Sequence, residues 1–325
     1  MAKARPSKKR QSAKTVGYVL YLLFALGIGS VAGWLGQSSL IRDIPRAVFH
    51  RPEEFFENKK SVVLLLLGCD EDRFFKGTLL HGSPISRQYA RSDMMLLTRI
   101  DFDTKKITGI SIPRDTLFGF PGKKKRKING YFSIAPFSKR SPVPILAQRA
   151  ALTQRAVEGL LPGVHIDQSI VLNFEAFKSL IDLVGGIDID VPQKMDYEDK
   201  AGDLYIHLKP GLQHLNGDQA MGFVRFRHDR ESDFGRQARQ KAFLLAFKAA
   251  VMQNIKIIPQ IADSGKKVFN ESLNNDQILA LFNFSRGVPQ TSIQMGMVPV
   301  LEKGSNIVLD ESKVDATLRQ YGFIN

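Results

Sequence analysis

Residues 16–36, VGYVLYLLFALGIGSVAGWLG, run for twenty-one positions without a charged side chain. At about 1.5 Å per residue a helix of that length spans roughly 31 Å, the thickness of a bilayer's hydrocarbon core. The fifteen residues before it hold Lys3, Arg5, Lys8, Lys9, Arg10 and Lys14 and no acid, while Tyr18, Tyr21 and Trp34 stand near the ends of the run. This pattern predicts an uncleaved signal-anchor helix with its N-terminus in the cytoplasm and the rest of the chain outside. The competing reading is a cleaved signal peptide cut near Ser30-Val31-Ala32, but the run exceeds the about 7–15 apolar residues of such peptides. The expected organisation is a basic tail (1–15), a transmembrane helix (16–36), a linker or stalk (37–60) and one extracytoplasmic domain (61–325).

The chain has 325 residues, 43% hydrophobic and 24% charged, which is enough apolar material for a large core and excludes disorder throughout. Its net charge is +14; the tail accounts for six of those charges, so the main domain is basic as well and an anionic partner is expected. The single cysteine, Cys69, excludes an intramolecular disulfide and, with no basic partner in view, reads as a small buried apolar residue. His165, His207, His214 and His228 show no metal-ligand spacing, so zinc is not expected.

SVVLLLLGCD, from Ser61, is a short and almost purely apolar run ending at glycine, the pattern of a strand buried on both faces. MMLLTRID, the turn-like FDTKK and ITGISI predict a hairpin. Helices are predicted around 145–160, 174–184, 234–255 and 275–284, with IDIDVP, LYIHL and GFVRFRH extended between them. Strands and helices mixed in this way point to a layered α/β domain with a mixed sheet. The pattern is weakest after about residue 265.

In that hairpin Asp93 stands at the start of one strand, with Arg114 and Asp115 just past the end of the other, so antiparallel pairing brings them to one end of the sheet. Asp70 joins them if its strand runs parallel to 107–112. Farther on, RFRHDRESDFGRQARQ packs five arginines, one histidine and three carboxylates into sixteen positions. Read as a strand, it sends Arg225, Arg227 and Asp229 to one face. SDFG then starts a helix on which Arg236, Arg239 and Gln240 share a face. Two readings stay open: an anion site built of guanidinium forks and a helix N-terminus, or a surface network of ion pairs and turn-forming aspartates.

The segments RSDMMLLTRID, ISIPRDT, KING, NFEAFKSLIDLVGGIDIDVP, LKPGLQHLNGDQAMGFVRFRHD and DFGRQARQ occur in the order, and at roughly the spacing, of the LytR-CpsA-Psr family. The resemblance covers about residues 62–250, and the lone N-terminal span is similar to that of the family. It implies an α/β/α domain around a mixed sheet, an apolar slot for a polyprenyl chain and an arginine-lined pyrophosphate site with Mg²⁺. It also implies a phosphotransferase that moves a polyprenyl-pyrophosphate-linked anionic glycopolymer, teichoic acid- or capsule-like, onto a wall acceptor such as peptidoglycan.

Carried over residue by residue, the resemblance makes Asp70 and Asp93 the metal carboxylates. Arg114, Arg225 and Arg227 become the pyrophosphate arginines, joined by Arg91, Lys127, Arg236, Arg239 and Gln240. Arg73, Asp115, Asn129 and Asp229 take supporting roles, and Asp93, Arg114, Arg225 and Arg227 form the catalytic set. Two features depart from the family pattern. The segment between Asp70 and Asp93 is long, and Lys123, Lys124, Lys125, Arg126 and Lys127 make an unusually basic tract, read either as a track for an acidic polymer or lipid head groups or as a solvated loop. A membrane-anchored receptor for lipid-linked phosphorylated glycans, without turnover, is the alternative function. Nucleic acid is not expected, because the basic domain lies outside the membrane and no reading motif is present.

Overall fold

The computed structural model describes residues 50–69, 74–75, 78–79, 91–134, 145–199, 204–226, 232–253, 273–304 and 306–325. In chain order the strands begin with β1 (Ser61–Cys69), β2 (Phe74–Phe75), β3 (Thr78–Leu79), β4 (Ser92–Asp101), β5 (Lys106–Ser111), β6 (Leu117–Phe118) and β7 (Arg126–Lys127). They continue with β8 (Gln168–Asn173), β9 (Ile187–Val191), β10 (Met195–Asp199), β11 (Leu204–Leu208), β12 (Gly211–Leu215), β13 (Ile293–Met297), β14 (Val300–Lys303) and β15 (Asn306–Leu309). The helices are α1 (Gly130–Ile134), α2 (Ile145–Leu160), α3 (Phe174–Leu183), α4 (Gly217–Arg225), α5 (Ser232–Gln253), α6 (Asn275–Arg286) and α7 (Val314–Gln320).

Five strands form a central mixed sheet in the order β13-β5-β4-β1-β8. Only β4 runs against its neighbours; β8 is parallel to β1 and β13 is parallel to β5. Because β1 and β5 are each antiparallel to β4, they share a direction, and the condition that brings the end of β1 to the edge of Arg114 is met. The run from Ser61 is a central strand, and its alternation divides between two faces. Leu65, Leu67 and Cys69 face one core with Met95, Leu97 and Ile110, covered by α1, α2 and α7. Val62, Leu64 and Leu96 face the other way and are buried too.

A second apolar cluster joins α3, α4 and α5 to the two-stranded sheets β10-β11 and β12-β9. The histidines there pair across strands, His207 with Asp196 and His214 with Asp188, each at 2.8 Å. The Asp188 hydrogen bond, helped by the Gly185 carbonyl, raises the His214 pKa. Packing begins upstream of Ser61, within the stretch read as a linker. Pro52–Phe55 is a 3-10 turn, Phe56 meets Phe102, and Gln277 Nε2 donates to the Phe55 carbonyl at 3.1 Å.

Three expectations change or fall outside the described residues. GFVR is not extended: residues 222–225 form the end of α4, while Arg227 and His228 of that segment lie outside the described residues. The physical reason lies upstream, where Asn216 caps the helix by accepting from Gln219 N–H while Gln219 returns the bond to Asn216 N–H. Gly217 seals the docking, since a Cβ there would lie 2.5 Å from the Lys178 carbonyl oxygen of α3. The stretch after 265, weakly patterned in sequence, supplies an edge strand of the main sheet through β13. The span predicted at 16–36 lies outside the described residues, among which no helix is long and apolar enough to cross a membrane.

Candidate functional site

At the end of the sheet where β1 and β5 finish, the pairing of β1 with β4 slips. Gly68 pairs with Met94 but Cys69 pairs with Ser92, so Asp93 is the extra residue of a β-bulge. The consequence follows from period two. Met95 and Leu97 face the core, and regular alternation would send Asp93 in after them. The slip instead gives the inward place, opposite buried Cys69, to Ser92, which has no exposed surface, and leaves Asp93 half-exposed at the rim.

Gly68 permits this arrangement. A Cβ at Gly68 would lie 2.9 Å from Met94 Cβ, closer than two strands tolerate. Gly68→Ala is expected to cost about 1–3 kcal/mol of stability by overpacking and to lower any Asp93-dependent activity beyond what the lost stability explains. Denaturant titration alongside an activity assay checks this, and unchanged activity would detach Asp93 from the bulge.

Arg114 Nη1 meets Asp93 Oδ2 at 2.9 Å, and Asn129, 3% exposed, donates from Nδ2 to Asp93 Oδ1 at 3.4 Å. Asn129 N–H donates to the Arg114 carbonyl at 3.2 Å and Ile128 N–H to the Thr116 carbonyl at 2.8 Å, so the KING segment is stitched to the PRD turn. Asp115 accepts from Lys127 Nζ at 2.8 Å and lies 3.7 Å from Arg114 Nε. These ion pairs are half-exposed, a class that contributes about 0–1 kcal/mol, so stability does not account for them.

Among the described residues, Ser92 Oγ and Arg114 Nε are closed off from solvent here without a hydrogen bond. Leaving such an atom unmet costs about 1–3 kcal/mol, which an incoming acceptor would recover.

Arg225, in the last turn of α4, holds its guanidinium 4.3 Å from the centroid of the Phe174 ring. Phe174 directly follows β8, whose last residue Asn173 pairs with Cys69, so Arg225 stands at the same sheet edge as Asp93 and Arg114. With strands about 4.8 Å apart, the ends of β5 and β8 are separated by roughly 15 Å. Phe174 had no role in the sequence reading; its position just past a strand end was the available signal.

Arg239 is buried at 3% exposure and donates from Nη2 to the Phe226 carbonyl at 2.7 Å, tying α5 to the end of α4. Arg91 is exposed one residue before β4. Arg236 and Gln240 lie on α5, whose helical course agrees with expectation. Asp70, Arg73, Arg227 and Asp229 lie outside the described residues, as do the side chains of Arg236 and Gln240. Arg225 is helical, so the expected alternation of Arg225 and Arg227 along one strand face does not occur.

The chain is similar in sequence and fold to transferases of known description. The chain is 31% identical over 295 residues to polyisoprenyl-teichoic acid–peptidoglycan teichoic acid transferase TagV of Bacillus subtilis (strain 168), covering 84% of this chain and 68% of that one. It is 31% identical over 223 residues to the TagU transferase of the same description from Bacillus mycoides (strain KBAB4), covering 67% of this chain and 62% of the relative. The crystal structure of B. subtilis TagV matches with a TM-score of 0.58 at 28% identity, over 82% of this chain and 99% of that one. The model of the LytR_cpsA_psr family matches residues 38–320, and the chain belongs to that family.

Proposed function

We propose that the chain is a membrane-anchored, Mg²⁺-dependent phosphotransferase. It moves a polyprenyl-pyrophosphate-linked anionic glycopolymer, teichoic acid- or capsule-like, onto a wall acceptor such as peptidoglycan and releases polyprenyl phosphate. The observation that carries this reading is Arg114: its fork is anchored on Asp93 through Nη1, while Nε is desolvated and has no hydrogen bond among the described residues. A planar cation held in this way is ready for phosphate oxygens, which it binds two at a time. The names of TagV and TagU supply the substrate class.

The apolar surroundings support a lipid-linked donor. Met94, Gly68 and Leu172 lie in one row across β4, β1 and β8, on the face away from Cys69 and just below the rim. Met94 and Leu172 are only half-covered, as is Leu66 two residues earlier on β1. Along α5, Phe243, Leu244, Leu245, Ala246 and Phe247 are also half-covered on every side, where an ordinary surface helix divides into a buried and a wet face. These positions suit a polyprenyl chain running between sheet and helix.

Among the described residues Asp93 Oδ1 receives only the long 3.4 Å contact from Asn129, which suits a carboxylate oxygen offered to a hard cation. Mg²⁺ takes one or two carboxylates and leaves its other positions to phosphate oxygens and water, which fits Asp93 with Asp70 as its partner. When bound, Mg²⁺ would neutralise charge on the phosphate oxygens. In the transfer an acceptor hydroxyl oxygen bonds the phosphorus nearer the sugar, and that phosphorus loses its bond to the bridging oxygen. Polyprenyl phosphate departs with the electron pair, and the hydroxyl proton passes to a base, a task for which Asp93 is also placed. Arg114 and Arg225 stabilise the anionic leaving group.

The test is the full chain reconstituted with a lipid-linked glycopolymer donor and peptidoglycan, measuring polyprenyl phosphate release and polymer attached to the wall. Both products are expected, and both should disappear with a chelator. Tight donor binding with neither product would make the chain a receptor instead.

A further inference from the structure

The hairpin β6–β7 grows directly out of the rim. Residues 121–127 at its far end are all exposed and carry five consecutive cations, Lys123, Lys124, Lys125, Arg126 and Lys127. Lys127 is engaged by Asp115. Among the described residues, none of the other four is paired with a carboxylate. Arg155 of α2 extends the basic surface, its guanidinium 5.9 Å from the centroid of the Phe120 ring.

A solvated loop with incidental lysines would be loosely attached, and this one is not. Phe118, Phe120 and Tyr131 pack on one another with centroids 5.1–5.8 Å apart, and Tyr131 OH donates to the Phe118 carbonyl at 3.1 Å. Arg126 lies 5.8 Å from the Tyr131 ring centroid. Lys123 N–H closes a turn onto the Phe120 carbonyl at 2.9 Å. Gly119 is pressed against the returning strand, where a Cβ would meet the Lys123 carbonyl oxygen and Lys125 Cα at 3.1 Å. The cations are thus mounted on an ordered platform whose other end bears Asp115, bonded to Lys127 and adjacent to Arg114.

We infer that this hairpin is a track for the polyanionic part of the donor, a sugar- or polyol-phosphate polymer, which it grips as the chain leaves the pyrophosphate site. The inference rests on the proposed transferase reading. It deepens that reading by assigning polymer-length selectivity to residues outside the reacting centre. The spacing favours a polymer over a lone anion: consecutive exposed cations, four of them unpaired with a carboxylate among the described residues, meet repeated phosphates. A lipid surface is the competing class, but the Lys127–Asp115 pair roots the hairpin beside Arg114, which favours the polymer leaving that site.

The experiment uses the full chain in nanodiscs of zwitterionic lipid and a variant carrying Lys123→Gln, Lys124→Gln and Lys125→Gln, none of which touches the rim. Binding of a soluble polyol-phosphate polymer is followed by fluorescence anisotropy against salt, with a neutral glucan as control and phosphatidylglycerol vesicles as competitor. Transfer is measured with a long-polymer donor and with a donor truncated to its linkage sugars. The wild type is expected to bind the charged polymer only. The variant should lose about tenfold in affinity, and its log–log salt slope should fall by about 2, from roughly 0.7 per phosphate contact in a single-stranded polyanion. Its KM should rise about tenfold for the long donor and stay unchanged for the truncated one.

Equal polymer binding by both proteins, or an equal loss on both donors, would overturn the inference. Capture of the vesicles in place of the polymer would overturn it in favour of a membrane contact. Absence of turnover with either donor, while variant-sensitive polymer binding persists, would instead refute the transferase reading and leave the track standing.

Discussion

Arg114→Gln is expected to lower polyprenyl phosphate release roughly 10²–10³-fold, about 2.7–4 kcal/mol of transition-state stabilisation, the loss typical of one pre-oriented donor at a developing oxyanion. Glutamine keeps a polar side chain but neither the charge nor the fork. Arg114 contacts Asp93 at 2.9 Å, and its desolvated Nε, 3.7 Å from Asp115, has no hydrogen bond among the described residues, so the substitution removes donor capacity that those residues leave unused. Arg114→Lys should give an intermediate rate, because an ammonium supplies the charge without the two-oxygen grip. The thermal midpoint should hardly move in either variant, since the Arg114–Asp93 pair is half-exposed. Single-turnover kinetics with a truncated lipid-linked donor, paired with a thermal melt, checks both statements. A wild-type rate in Arg114→Gln would remove this arginine from the reacting centre.

The second large effect is at Asp93, and its signature differs in sign between binding and turnover. Asp93→Asn preserves shape, and its amide oxygen can still accept from Asn129, but it removes the carboxylate that meets Arg114 Nη1 at 2.9 Å. Turnover is expected to fall roughly 10²–10³-fold whether Asp93 holds the cation or takes the proton. Donor binding measured with chelator present should tighten, because the nearer of the two carboxylates competing with pyrophosphate for the guanidinium is gone, leaving Asp115 at 3.7 Å. Isothermal titration with and without Mg²⁺ separates the two contributions. Weaker chelated binding in Asp93→Asn would mean that the carboxylate positions Arg114 rather than competing for it.

Much of the architecture was legible because apolar periodicity is a local property. The buried run from Ser61, the hairpin MMLLTRID–ITGISI and the helices near 145–160, 174–184, 234–255 and 275–284 all formed where their patterns indicated. The misreading of GFVRFRH shows where that logic fails. Seven residues of alternating character fit period two, yet the Asn216–Gln219 capping pair and the close seat of Gly217 on α3 had already committed the chain to a helix. A capping box four residues wide outweighed a pattern seven residues long, because it satisfies backbone donors that a strand would have to pair elsewhere.

The bulge at Asp93 and the burial of Arg239 were not legible at all. A bulge depends on which partner residue stands opposite, so it is written in two segments together: Gly68 in one strand permits the slip that turns Asp93 in the other. Arg239 carries the same charge as Arg225 in the sequence, yet only contact with the Phe226 carbonyl makes it a tie between helices rather than an exposed rim cation.

By itself the sequence determined the kinds of element, the apolar faces they bury and the chemical types available for a site, because hydrophobic spacing and side-chain chemistry belong to residues and their near neighbours. Only the tertiary structure decided that Lys127 and Asn129 join Asp93, Arg114 and Asp115 at their edge, that Arg225 reaches that edge over Phe174, and that the basic hairpin is rooted there. Those facts rest on strand register and helix docking between segments far apart in the chain, which close contacts in the folded state select.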